Sequence, residues 1–180
     1  MLALLLTTAA YAGDTVITHN PEGIGLGLIL GAPTGFSFGW RPGGRFMADA
    51  GIAWSFSDSY DGLDSWAQVH ADVCIDLADL RTADLPDMHF PVWIGVGPRA
   101  RFGSGTGYEA FNLAARVPIA MGFWHNEVPI EGFLEVAPGV GLFPRTEFTF
   151  DASIGARFWL AAPGGTARFT APEPMDDRPY

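Results

Sequence analysis

The chain contains no lysine and a single cysteine, Cys74, and charged residues make up only 17% of its 180 positions. One cysteine excludes a scaffold held together by disulfides. The ten basic residues are all arginines and face twenty acids, so the formal net charge is −10. This acidic balance excludes a protein that binds nucleic acid through a basic stripe. Because 48% of the residues are hydrophobic, the chain as a whole is not disordered.

Glycine and aromatic residues are plentiful, and their spacing has a period of two. Residues 23–40 carry no charge over eighteen positions, a length sufficient for a transmembrane helix. However, Gly23, Gly25 and Gly27 alternate with apolar residues, and Pro33 interrupts the run. Alternation is typical of strands, so this segment is predicted to be a hairpin around the sequence GAPTG.

Six further segments alternate in the same way: 46–56, 67–77, 90–102, 111–123, 130–136 and 148–160. Together with the hairpin they make eight strands, and no amphipathic helix of useful length appears. The predicted fold class is all-β, an eight-stranded antiparallel up-and-down transmembrane β-barrel. Pro98, Pro118 and Pro138 fall in or near strand interiors and predict bulges or strand ends.

Each strand has one apolar face and one face of small residues with a few ions. A water-facing surface normally carries more charge, so we assign the second face to a cramped barrel interior and the apolar face to lipid. The predicted interior network consists of Asp49, Gln68, His70, Asp72, Asp76, Arg99, Arg101, Arg116, Glu131, Glu135, Asp151 and Arg157. Aromatic pairs twelve residues apart, Phe90 with Phe102 and Phe111 with Phe123, span about 30 Å on tilted strands and suggest two interfacial girdles.

The two ends of the chain differ from the middle. Residues 1–12 are apolar and end in Ala-Tyr-Ala before Gly13, the layout of a secretory signal peptide. Residues 13–160 are predicted to be the barrel domain, and residues 161–180 are rich in proline and predicted to be a flexible tail. An exported barrel with an apolar exterior predicts location in the bacterial outer membrane.

The chain resembles the small eight-stranded outer-membrane barrels of OmpA-like and OmpW-like build, and is more closely similar to uncharacterised short bacterial barrel proteins. The segments that carry this resemblance are GLGLILGAPTGFSFGW, HADV, WIGVGPR, ARVPIAMGFW, FLEVAPGVGLFP and FDASIGARFWL. These motifs are structural. The resemblance therefore implies a fold and a location but no catalytic residue.

Several groups invite a chemical interpretation. His70, Asp72, Cys74 and Asp76 share one face of a strand at the spacing of neighbouring metal ligands, but one strand rarely surrounds an ion. Filling of the interior is favoured, and no metal or cofactor is predicted. An enzymatic alternative, a barrel that modifies lipid, makes His70 a base, Asp72 its orienting group and Ser55 or Ser153 the nucleophile. His19, His89 and His125 are predicted to be solvent-exposed in loops or the N-terminal segment.

The predicted function is that of an outer-membrane protein with a filled interior, structural or surface-interacting, neither an enzyme nor an open porin. Its predicted partners are outer-membrane lipid, periplasmic chaperones and the barrel-assembly machinery. An alternative is a soluble periplasmic barrel that binds an apolar ligand, with Trp54, Phe102 and Phe123 pointing inward. Two acidic loops are predicted, one facing outside, with Asp58, Asp61 and Asp64, and one facing the periplasm, with Asp79, Asp84 and Asp87. Their acids are expected to be solvated, and contact with divalent cations at the outer lipid surface is the alternative.

Overall fold

The computed structural model describes residues 22–32, 34–55, 65–82, 85–104, 111–125 and 128–161. The predicted signal peptide lies outside these residues, as do residues 162–180 of the predicted tail. His19, Asp84 and the first acidic loop, with Asp58, Asp61 and Asp64, also lie outside them. Within the described ranges every regular element is a strand, and no helix is present that could span a lipid bilayer.

Nine strands form one antiparallel sheet. They are β1 (Gly23–Ala32), β2 (Thr34–Arg41), β3 (Phe46–Ser55), β4 (Ser65–Thr82), β5 (Leu85–Ser104), β6 (Phe111–Arg116), β7 (Ile119–His125), β8 (Val128–Phe143) and β9 (Phe148–Ala161). The predicted all-β class is confirmed.

The sheet closes on itself. β1 pairs over its whole length with the last strand, β9, from Gly23 opposite Ala161 to Ala32 opposite Ala152. β6 and β7 both pair with β5 on one side and with β8 on the other, so they occupy a single position in the ring. The result is a closed ring of eight strand positions, the number that the alternation predicts.

Pro118 divides the segment that alternation predicts as one strand, 111–123. Proline has no N–H to donate, and the flanking strands β5 and β8 form backbone hydrogen bonds to Pro118 and Val117 instead. The Gly95 N–H donates to the Pro118 carbonyl, and the Val117 N–H donates to the Pro138 carbonyl, both at 2.8 Å. Pro98 and Pro138 lie inside β5 and β8, in register with Ala115 and Phe150.

The tight turn between β1 and β2 has a local cause. Gly31 has a φ of 137°, a conformation that a side chain strongly disfavours. The Thr34 hydroxyl accepts a hydrogen bond from the Gly31 N–H at 3.2 Å and lies 3.1 Å from the Gly31 carbonyl, to which it donates. Both strands match the predicted hairpin over residues 23–40 to within one residue.

Three strands are longer than alternation predicts. β4 reaches Thr82, β5 begins at Leu85, and β8 continues to Phe143. The placement of Asp79 and Asp87 in a loop is therefore wrong, since Asp79 lies in β4 and Asp87 is the third residue of β5. Register shifts between Asp76 and Ala78 and between Leu80 and Thr82 break the period of two there, which hides the strand from sequence reasoning.

Candidate functional site

The outward face of the ring is almost free of polar side chains. Among strand residues whose exposure is described, the exposed ones are apolar, glycine or proline, with the single exception of Asp87 near the start of β5. Leu28, Ile52, Val73 and Val96 are each more than half exposed. Exposed charges elsewhere in the described residues are confined to strand ends and turns, at Glu22, Arg45, Arg145 and Glu147.

The inward face has the opposite character. All twelve residues predicted for the interior network are buried. Sequence reasoning missed two further members, Arg41 and Ser37, which are 2% and 4% exposed. The sequence does indicate their position, because Ser37 and Arg41 each lie two residues from Gly39 and so share its face of the strand. Phe36, Phe38 and Trp40 form the opposite, outward face. Arg41 was overlooked because it adjoins the turn sequence Pro-Gly-Gly.

One group of interior residues, the Asp151 cluster, is organised by a carboxylate on β9. Arg99 Nη1 donates to both Asp151 oxygens at 3.2 Å, and Arg101 Nη2 donates to Oδ1 at 2.7 Å. Gln68, on β4, links Asp151 on β9 to Arg101 on β5. Its Nε2 donates to Asp151 at 3.4 Å, and its Oε1 accepts from Arg101 Nε at 2.7 Å. Arg99 Nη2 also donates to Asn112 at 3.3 Å.

Arg116 extends this cluster across the interior. Its guanidinium donates to Glu135, its Nε lies 3.3 Å from Asp72 Oδ2, and its Nη1 lies 3.7 Å from Asp151 Oδ2. One buried arginine thus faces three carboxylates that come from β4, β8 and β9. A buried charge needs such partners because water no longer solvates it.

A second group, the Glu131 cluster, contains a carboxylate from β8. Glu131 Oε1 accepts from Arg41 Nη2 at 3.2 Å, and its Oε2 accepts from the Trp159 indole N–H at 3.1 Å. Arg157 Nη1 lies 3.8 Å from Glu131 Oε2. The same Arg157 donates through Nε to the Ser37 hydroxyl at 2.7 Å and through Nη2 to Asp49.

Aromatic rings complete the filling of the interior. The Arg41 guanidinium lies 5.6 Å from the centre of the Trp93 ring and 5.1 Å from that of Trp159. Arg101 lies 4.6 Å from the Trp66 ring centre in the same way. Such contacts are stabilising when the cation is removed from water. Large planar groups and long guanidinium chains therefore occupy the space that a channel would need.

The charges inside the ring are nearly balanced. Five arginines, 41, 99, 101, 116 and 157, are buried with six carboxylates, 49, 72, 76, 131, 135 and 151. Removing so many ions from water is costly, and the cost is offset only when each ion meets a partner of opposite charge. The contacts above, together with Arg41 Nη2 at 3.9 Å from Asp76 Oδ1, supply those partners across strands far apart in sequence.

Among the side chains that the structure describes, His70 does not form the arrangement that the enzymatic alternative requires. Its imidazole packs against the β3 backbone, where a Cβ on Gly51 would lie 2.5 Å from His70 Cε1. Asp72, the suggested orienting group, is engaged by Arg116. Ser153 lines the same small cavity as His70, but that cavity measures about 10 Å³, room for one water and not for a substrate. The Ser55 side chain lies outside the described atoms.

The metal interpretation of His70, Asp72, Cys74 and Asp76 finds no support in the geometry. Within the residues that the structure describes, no group of three or more His, Cys, Asp or Glu side chains is arranged to hold an ion. Cys74 is 1% exposed and forms no disulfide, and a Cβ on Gly95 would lie 2.5 Å from its Sγ. Asp72 and Asp76 face arginines instead.

His89 is a correction to the sequence interpretation, which places it in a solvent-exposed loop. It lies in β5, is 3% exposed, and its Nδ1 is 2.7 Å from Asp79 Oδ2. The ring stacks on Trp124 with 4.4 Å between centroids. His125 likewise lies in a strand, at the end of β7, where it is partly buried.

Comparison with known proteins returns no match. The chain matches no family model, no curated protein and no solved structure. The resemblance to OmpA-like and OmpW-like proteins therefore stays a prediction.

Proposed function

We propose that this protein is a transmembrane β-barrel of the bacterial outer membrane, with a filled polar interior and a structural or surface-interaction role. In this proposal the outward face of the ring contacts lipid and the loops contact the aqueous phases. The protein is neither an enzyme nor an open porin. Its partners are outer-membrane lipid and, during biogenesis, periplasmic chaperones and the barrel-assembly machinery.

The observation that carries the proposal is the reversal of the usual polarity. Leucine, isoleucine, valine and phenylalanine side chains cover the exterior, while arginines and carboxylates fill the interior. In water this exterior would be a very large exposed apolar patch, which soluble monomers rarely tolerate. In a bilayer the same surface is solvated by acyl chains.

Closure of the ring supports the same conclusion. Lipid offers no hydrogen bonds, so a sheet in a bilayer must pair its backbone groups internally, and a ring without free edges does this. The pairing between β1 and β9 is what removes the edges here.

Aromatic residues at the two ends of the ring also fit a membrane-spanning wall. Phe102, Phe111 and Phe143 form a continuous group at one end, with ring centroids 5.3 Å and 6.1 Å apart. At the other end, Trp40 and Phe46 flank the turn between β2 and β3, and both are exposed. Aromatic girdles at both interfaces are typical of outer-membrane barrels.

The soluble alternative fits the geometry poorly. It requires Trp54, Phe102 and Phe123 to point inward around an apolar ligand. Phe102 and Phe123 are 49% and 44% exposed, and Trp54 packs against the exposed Phe36 with 5.6 Å between ring centroids. The interior that would receive the ligand contains ion pairs.

The test is the electrophoretic mobility of the membrane-extracted protein with and without boiling. A closed transmembrane barrel stays folded in detergent and migrates differently until it is boiled. We expect a shift that depends on boiling in the detergent fraction only. Recovery of the folded protein from a soluble periplasmic extract without detergent would overturn the proposal.

The filled interior also leads to a prediction about transport. An eight-stranded ring is only wide enough for its own side chains, and here these include Arg41, Trp93, Trp159 and Arg157. Purified protein in planar lipid bilayers is therefore expected to insert without stepwise ionic conductance. Reproducible open-channel steps would contradict the filled interior and favour a porin.

A further inference from the structure

A small cavity lies where the two interior clusters meet. Its lining includes Arg116, Glu135 and Asp151 from the Asp151 cluster and Ser37, Asp49 and Arg157 from the Glu131 cluster. His70 and Ser153 add polar groups, and two apolar side chains complete the wall. Strands from opposite sides of the ring thus contribute side chains to one small cavity.

We propose that this cavity is the binding site of one water molecule, which bridges the Asp151 cluster and the Glu131 cluster. The volume of about 10 Å³ corresponds to a single water, and a buried water needs two to four polar partners. The inference concerns the interior alone, so it does not depend on whether the ring spans a membrane.

Three buried polar atoms of the lining residues give the site its hydrogen-bonding demand. His70 Nδ1, Arg116 Nε and Arg157 Nη1 have no hydrogen-bond partner within the described structure, although the two arginine atoms lie 3.3 Å from Asp72 and 3.8 Å from Glu131. All three residues line the cavity, and they are 8%, 1% and 1% exposed. Buried polar groups almost always find a partner, in protein or in ordered water. A water oxygen accepts from Arg157, and the same molecule bonds His70 in either tautomer.

The charges around the cavity select a neutral molecule. A cation placed there would face two guanidinium groups, Arg116 and Arg157, and an anion would face the carboxylates of Asp49, Glu135 and Asp151. Arg116 and Arg157 each already have a carboxylate partner. What remains is a species of one heavy atom that both donates and accepts hydrogen bonds, which is water.

The test uses the refolded full chain in detergent micelles with isotopically labelled histidine. Magnetisation transfer from water to the carbon-bound proton on His70 Cε1, assigned by its loss in His70→Ala, reports a long-lived water beside Nδ1. We expect this cross-peak in the unmodified protein. Ser153→Val fills the cavity and removes a hydroxyl, so the cross-peak should disappear.

Ala152→Val is the matched control, because it adds two methyl groups at the neighbouring outward-facing position. It should keep the cross-peak at full intensity. An absent cross-peak in the folded unmodified protein, or one that persists in Ser153→Val, would overturn the proposal. If gel mobility shows that Ser153→Val does not fold, Ser153→Thr is used instead, because it adds only one methyl group. The presence or absence of the cross-peak in the unmodified protein still decides whether the water is bound.

Discussion

Replacing an outward-facing leucine in the middle of the wall tests the orientation of the ring in lipid. Leu134 is the seventh of sixteen residues in β8 and is 49% exposed. Its register neighbours Met121 and Ile154 are also exposed, so the surroundings on both sides are apolar. Leu134→Arg therefore places a guanidinium in the centre of the surface that we assign to lipid.

The expected magnitude depends on depth. An arginine on the lipid face of a barrel costs about 2–4 kcal/mol at the bilayer midplane and about 0–1 kcal/mol near the interfaces. Leu142 lies on the same face of the same strand and is 58% exposed. Eight residues separate the two leucines, which corresponds to about 20 Å of height on a strand tilted by about 40°. Leu142→Arg is therefore the matched control at the rim.

The assay is the free energy of unfolding from lipid vesicles by urea, followed by tryptophan fluorescence and by gel mobility without boiling. We expect Leu134→Arg to lower the folding equilibrium constant by roughly 5-fold to several hundred-fold relative to Leu142→Arg, since the two costs differ by about 1–4 kcal/mol and about 1.4 kcal/mol corresponds to tenfold. If the two variants are equally stable, or if Leu134→Arg is stable in water without detergent, the outward face does not contact lipid.

Three further predictions concern the interior. Asp151→Ala removes the acceptor shared by Arg99 and Arg101. It should lower the free energy of unfolding in urea by about 3–5 kcal/mol, because two guanidinium groups lose their buried partner. Asp151→Asn should cost less, and equal stability of the unmodified protein and both variants would contradict the network. Gly51→Ala places a Cβ 2.5 Å from His70 Cε1 and should lower the free energy of unfolding by about 1–3 kcal/mol through overpacking. The double variant with His70→Ala should recover part of this stability, and no recovery would locate the strain elsewhere. Cys74, which is 1% exposed, should react with a maleimide only after unfolding, as mass spectrometry would show; rapid labelling of the folded protein would refute its inward position.

The period of two makes most of the wall predictable. Residues 67–77 alternate regularly between apolar and other side chains. The sequence alone therefore places every second residue from Ala67 to Leu77 on the outward face and every second residue from Gln68 to Asp76 on the inward face. Alternation also gives the number of strand positions, because residues typical of turns lie between successive segments. These are local properties, and a strand's two faces are set by local geometry.

Other features depend on contacts that are distant in sequence. The hydrogen bond between Asp79 and His89 joins β4 and β5 where register shifts in β4, and Pro86 and Pro91 in β5, interrupt the alternation. Both residues are therefore predicted to lie in loops. Arg157 pairs with Asp49, 108 residues away, and several carboxylates lie on the same inward face as candidates. Sequence predicts that such partners exist. The register across the ring decides which ones meet.

The distribution of charge also indicates where the protein has surfaces available for recognition. In the described residues the interior ions are engaged with one another, and exposed charges occur only near strand ends and in turns, at Glu22, Arg45, Asp87, Arg145 and Glu147. An apolar wall in lipid offers little selectivity for a soluble partner, because specific recognition relies on polar and charged complementarity. If the proposed membrane location holds, a surface interaction must therefore use the two ends of the ring, and charge reversal at Arg145 and Glu147 would weaken it while leaving the boiling-dependent gel shift unchanged.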